Sequence, residues 1–173
     1  MTGPCFVDAN VLVYARDPRD PAKQRRANDW LDHLWRERRG RTGVQVISEA
    51  YVALKRLSGG GTEELWQRVA RYFAWSPQPI DEALLRRARE IEQRWRLSWW
   101  DAMIVAAAQL QECSLLLTED LQDGAAYGPV IARSPFTLSV EEPAARYAAA
   151  PPEVASRHRP RGRPRRAIRA ATP

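Results

Sequence analysis

The chain has 173 residues, 45% of them hydrophobic and seven of them Trp, which is enough for one domain with a real core and too little for two domains and a linker. Its longest apolar stretch, Met103 to Ala108, is far short of the roughly 20 residues that span a bilayer, and Met1-Thr2-Gly3-Pro4 lacks the basic and apolar regions of a secretion signal, so a cytoplasmic protein without a membrane segment is expected. The formal charge of +6 belongs to one end: residues 151–173 hold seven Arg against one Glu, leaving 20 bases and 20 acids in the rest.

Cys5-Phe6-Val7 predicts a buried strand ending at Asp8, and Val11 to Tyr14 a short helix directly after it. Pro21 to Arg38 carries Ala27, Trp30, Leu31, Leu34 and Trp35 at helical spacing, with Pro at its start and Gly40 after its end. Val44 to Ile47 reads as a second strand, and Ser48-Glu49 as the opening of a helix that stops at Gly59-Gly60-Gly61. Thr62 to Ala74 and Asp81 to Arg96 are two more helices, the second with Asp81 as its cap, and Ser98 to Glu112 is a third. Leu115-Leu116-Leu117 predicts a third buried strand, running into Thr118-Glu119-Asp120, and Val130 to Ala132 a fourth. Strands alternating with helices imply an α/β fold whose ligands bind at the carboxyl ends of the strands. The Trp residues at 30, 35, 66, 95, 99 and 100 are assigned mostly to the core. Cys5 and Cys113, without CxxC spacing or His partners, read as reduced packing residues. The folded body is expected to end at residue 140, with 141–173 a Pro/Arg-rich, disordered basic tail.

Asp8, Glu49 and Asp120 each stand at or just past an expected strand end, and Asp101 lies in the first turn of a helix. Four carboxylates at one sheet edge repel one another unless hard cations fill the site, and Mg²⁺ or Mn²⁺ takes carboxylate oxygens while keeping waters for phosphates. The chemistry that follows is phosphodiester hydrolysis by a metal-activated water. Simpler roles exist for each acid. Asp101 completes a Ser98-x-x-Asp101 capping box, Glu49 suits a helix first turn, and Asp120 suits a turn in which Glu119 and Asp123 compete with it. A structural role is hardest to assign to Asp8, because an unpaired carboxylate beside a buried strand is costly.

The stretches Phe6-Val7-Asp8-Ala9-Asn10-Val11-Leu12-Val13-Tyr14, Gln45-Val46-Ile47-Ser48-Glu49, Leu97-Ser98-Trp99-Trp100-Asp101-Ala102 and Leu116-Leu117-Thr118-Glu119-Asp120-Leu121-Gln122 resemble the PIN-domain family, and within it the VapC-like toxins of type II toxin-antitoxin pairs. The resemblance covers roughly residues 4–140. It implies a three-layer α/β/α sandwich with a short, mostly parallel central sheet. It further implies an endoribonuclease that binds Mg²⁺ (or Mn²⁺), with Asp8, Asp101 and Asp120 as metal ligands, Glu49 as a further catalytic acid, and Asn10 and Thr118 in support. The implied partners are an RNA substrate, a cognate antitoxin protein and a second copy of the chain in a homodimer. The tail arginines Arg157, Arg159, Arg161, Arg163, Arg165 and Arg166 lie outside the resemblance and read as a sequence-independent RNA tether.

Two other classes fit the same outline less well. A phosphatase using Asp8 as nucleophile wants a second Asp where Asn10 stands, and a late Lys, whereas the only lysines are Lys23 and Lys55. A non-catalytic RNA-binding or scaffold protein with a PIN-like fold has no need of the full set of four acids.

Overall fold

The computed structural model describes residues 3–140. The tail and the six arginines assigned to RNA binding lie outside those residues. Cys5–Val7 forms β1, entirely buried, and the chain then turns at Asp8 into α1 (Ala9–Tyr14). Asp20 caps α2 (Pro21–Arg36) by accepting the Lys23 N–H, and Pro21 at the first helical position supplies a preset φ. The strand β2 is only Gly40–Arg41. Any Cβ at Gly40 would overlap the Trp75 indole, so glycine here permits a ring to lie against the sheet edge.

The expected strand over Val44 to Ile47 is absent: these residues are the first turn of α3 (Val44–Leu57), capped by the extended Gly43. The reason lies in burial. Val46, Ile47, Ala50 and Leu54 are the buried positions, a helical stripe, while Val44 and Val52 are left exposed. The place beside β1 is filled instead by Gly40–Arg41. Gly40 therefore belongs to a strand and does not end α2. Thr62 caps α4 (Glu63–Ala70), which gives way to a 3₁₀ turn at Arg71–Trp75 instead of continuing to Ala74. Asp81 caps α5 (Glu82–Trp95), and Ser98 caps α6 (Trp99–Leu110), which is buried from Asp101 to Ala108. The strands β3 (Leu115–Leu117), β4 (Ala126–Tyr127) and β5 (Val130–Arg133) complete the sheet.

The sheet order is β2-β1-β3-β5-β4, parallel except for β4, which runs antiparallel to β5. With helices on both faces this is a three-layer α/β/α sandwich. The register pairs Cys5 with Leu115, Phe6 with Leu116 and Val7 with Leu117, and all six side chains are fully buried, as strands covered on both faces require. The same register sets Asp8 and Thr118 side by side where β1 and β3 end, with the Asp8 N–H donating to the Leu117 carbonyl at 3.0 Å. After β5 the chain returns over α2, where the Trp30 Nε1–H donates to the Leu138 carbonyl at 3.2 Å. Trp30 and Trp75 are core residues and Trp35, Trp95 and Trp99 pack partly against it, whereas Trp66 and Trp100 are exposed. Cys5 and Cys113 are buried free thiols. No helix among the described residues is long and apolar enough to cross a membrane.

Candidate functional site

The sheet ends at β1 and β3 with a polar cluster in otherwise apolar surroundings. Asp8 is 1% exposed and accepts three hydrogen bonds: from its neighbour Ala9 N–H at 2.6 Å on Oδ1, and from Thr118 Oγ1 at 2.7 Å and Asn10 Nδ2 at 3.3 Å on Oδ2. Asp8 therefore serves α1 as its cap and the cluster as its shared acceptor. Thr118 Oγ1 in turn accepts from Asn10 Nδ2 at 3.2 Å and from the Asp120 backbone N–H at 3.1 Å, so one hydroxyl ties Asp8, Asn10 and the start of the Asp120 turn together.

The cluster opens into a groove of about 810 Å³ that is lined by Asn10, Tyr14, Glu49, Trp100, Glu119 and Asp120, among others. Glu49 comes from the second turn of α3, and Gln45, one turn before it, donates from Nε2 to Glu49 Oε1 at 2.8 Å. Asp101 sits at the start of α6 and is 5% exposed; Ser98 Oγ donates to Asp101 Oδ2 at 2.7 Å and accepts the Asp101 N–H at 3.2 Å. The Ser98 cap read from the sequence is thus present, with the Asp101 carboxylate accepting from the Ser98 hydroxyl. Burial pushes the Tyr127 hydroxyl up to about 12, and the nearby Asp101 charge adds to the effect.

Glu119 and Asp120, adjacent in sequence, have different surroundings. Glu119 Oε2 accepts from Lys23 Nζ at 2.5 Å, and that ammonium also donates to Tyr14 OH at 3.2 Å and lies over the Tyr14 and Phe136 rings. Burial works against the Lys23 ammonium, yet its hydrogen bonds to Glu119 and Tyr14 outweigh this and raise it above its ordinary value. Arg19, which lines the same groove, clamps Asp17 through Nε at 2.8 Å and Nη2 at 2.6 Å, which holds the Asp17 carboxyl down at about 2. Neither ion pair was visible in the sequence pattern. The Asp17-Pro18-Arg19-Asp20 turn and the Gln45-to-Glu49 helical spacing were the available signals for Asp17, Arg19 and Gln45.

Among the described residues, no three Asp, Glu, His or Cys side chains stand close enough together to enclose an ion. The donor set is nonetheless one of hard oxygens. One further atom points to a polar guest: Asn10 Oδ1 is buried without a hydrogen-bond partner, in a residue that lines the groove. An octahedral Mg²⁺ that retains several waters and takes one or two carboxylates suits such a spacing better than an ion fully caged by protein.

Residues 5–122 match a family model described as PIN domain. A solved structure described as a toxin-antitoxin complex from Klebsiella pneumoniae superposes with a TM-score of 0.57 and 20% identity, over 76% of this chain and 97% of that chain, which is a likeness of fold. No curated protein matches the chain. The matched range contains Asp8, Glu49, Asp101 and Asp120.

Proposed function

This chain belongs to the PIN domain family, whose members are generally nucleases, and from that premise we propose that it is a metal-dependent endoribonuclease, the toxin of a toxin-antitoxin pair. The observation that carries this reading is the Asp8–Thr118–Asn10–Asp120 hydrogen-bonded cluster at the ends of two parallel strands, opening into a groove shared with Glu49. Asp8, Asp101 and Asp120 are the acids that would hold Mg²⁺ or Mn²⁺, one or two of them directly and the rest through the ion's waters. When bound, the ion supplies activation of a water nucleophile and charge stabilisation for the leaving oxygen of the phosphodiester. Thr118 and Asn10 fix the rotamer of Asp8, so the carboxylate does not reorganise when a cation and phosphate arrive. Glu49, braced by Gln45 and not buried, orients the attacking water and receives its proton. Thr118 also fixes the backbone of Asp120, and Lys23 pairs with the Glu119 carboxylate.

The partner reading rests on a separate surface. Leu12, Leu54, Leu57, Leu65, Val69 and Tyr72 line an apolar pocket between α1, α3 and α4, a shape that suits an inserted antitoxin segment, and the superposed Klebsiella pneumoniae structure is described as such a complex. A homodimer placing two grooves side by side, and a basic tail tethering RNA through Arg157, Arg159, Arg161, Arg163, Arg165 and Arg166, complete the proposal.

The test is cleavage of RNA by purified Asp101→Asn and Asp8→Asn proteins in Mg²⁺ or Mn²⁺. Each change removes a ligand charge while keeping side-chain shape, so the rate should fall by more than about 100-fold, beyond the loss typical of second-shell changes, with the fold intact by circular dichroism. An unchanged rate in Asp101→Asn would remove the proposed centre. Co-expression with the adjacent open reading frame checks the partner: a co-purifying small protein that suppresses cleavage is expected.

A further inference from the structure

Trp100 is 48% exposed at the start of α6, immediately before Asp101, although the helix is buried from Asp101 to Ala108. A single exposed indole is unremarkable on a protein surface. This one lines the groove that holds Glu49, Asp120 and Asn10, and Ile80, 53% exposed, lines it too. The Arg19 guanidinium, 75% exposed while its partner Asp17 is buried, lines the same groove. The groove thus offers a flat aromatic face, acidic oxygens beside it and a cationic edge.

We propose that Trp100, in the groove it shares with Ile80, is the platform on which a base of single-stranded RNA stacks, bringing the adjoining phosphate toward the acidic residues and Arg19 that line the same groove. The proposal rests on the nuclease reading and adds to it the residue that selects unpaired bases. Charge decides between occupants. An apolar helix laid in this groove would strip water from Glu49, Glu119 and Asp120 without offering them charge. A nucleotide meets both halves of the groove, its base the indole and its phosphate the cationic edge and any cation the acids hold. The apolar pocket between α1, α3 and α4 already provides a surface suited to a protein segment. A base held in a duplex keeps its faces stacked on its neighbours and cannot reach Trp100, so the platform discriminates for single strands.

The experiment compares the full chain carrying Trp100, Trp100→Ala or Trp100→Phe, each with Asp8→Asn and Ca²⁺ to suppress cleavage. Fluorescence anisotropy reads binding to a labelled oligoadenylate of about ten nucleotides and to an abasic ribose-phosphate strand of equal length. Trp100→Ala should weaken oligoadenylate binding about ten-fold, equivalent to about 1.4 kcal/mol, and leave abasic binding unchanged, with Trp100→Phe retaining most of the affinity. Base-independent binding by the basic tail affects both strands equally and cancels from the comparison. Equal affinity of Trp100 and Trp100→Ala proteins for oligoadenylate would overturn the platform while leaving RNA binding intact. Equal loss on the abasic strand would also overturn it, as would a change of oligomeric state in Trp100→Ala by sedimentation velocity, which would assign the indole to a contact between copies. No binding of either strand by the protein with Trp100 in place would overturn the nuclease reading itself, and the platform with it.

Discussion

Replacing Thr118 by Val removes one hydroxyl from a side chain that is 1% exposed and keeps its shape. Three hydrogen bonds go with it: the one donated to Asp8 Oδ2 at 2.7 Å, and those accepted from the Asp120 N–H at 3.1 Å and Asn10 Nδ2 at 3.2 Å. The first is made to a carboxylate and is worth about 1.5–3 kcal/mol; the others lose less, because Asn10 Nδ2 keeps Asp8 Oδ2 at 3.3 Å and Asp120 is exposed to water. Burying the additional methyl recovers roughly 0.8 kcal/mol. The net cost is about 2 kcal/mol, or roughly 6 °C in Tm for a domain of this size. Under the proposed function, cleavage should fall about 10- to 100-fold as Asp8 loses its orientation. Thr118→Ser is the control, since it deletes a methyl at a cost of about 1 kcal/mol and retains the hydroxyl, so it should cut RNA nearly as well as the parent. Urea unfolding and initial cleavage rates measured on the three proteins decide the matter. A Thr118→Val protein as stable as the parent, or more active than Thr118→Ser, would refute the idea that this hydroxyl organises the site.

Three further outcomes are expected. The Arg19 clamp holds Asp17 at about 2, below its ordinary 3.8, so the pair stabilises the fold fully above about pH 4 and is lost as pH falls through 2; acid unfolding of Asp17→Asn should therefore begin from a lower stability at neutral pH and change less between pH 4 and 2. Burial pushes the Cys113 thiol up to about 12 and raises Cys5 well above the ordinary thiol value, so Ellman's reagent at pH 8 should find no reactive thiol in the native protein and both in denaturant. Deleting residues 151–173 should leave metal-dependent cleavage at saturating RNA unchanged and flatten the salt dependence of RNA binding by up to about 0.7 log units per lost phosphate contact; superimposable salt series would make the arginines passive.

The elements legible in the sequence were those whose burial pattern has one interpretation. Cys5-Phe6-Val7 and Leu115-Leu116-Leu117 are short, fully apolar runs that suit a strand covered on both faces, and the caps Asp20, Thr62, Asp81 and Ser98 mark helices by local hydrogen bonds that need no distant partner. The acids Asp8, Asp101 and Asp120 could be singled out because each follows or opens such an element, whereas Glu49 was singled out beside an expected strand that is in fact the first turn of α3. Val44 to Ile47 misled because a four-residue stretch with three apolar residues is compatible with either period, and only the packing of Val46, Ile47, Ala50 and Leu54 decides for a helix. The strand Gly40–Arg41 has no apolar signature at all; it exists because the edge of β1 needs hydrogen-bond partners and because a glycine lets Trp75 lie against it. In the same way, the sequence holds Asp8 and Thr118 as two residues 110 positions apart, and the parallel register of β1 with β3 makes them a 2.7 Å hydrogen bond. Local chemistry determined which residues carry the oxygens, while their meeting depended on long-range strand pairing, which a pattern of nearest neighbours does not encode.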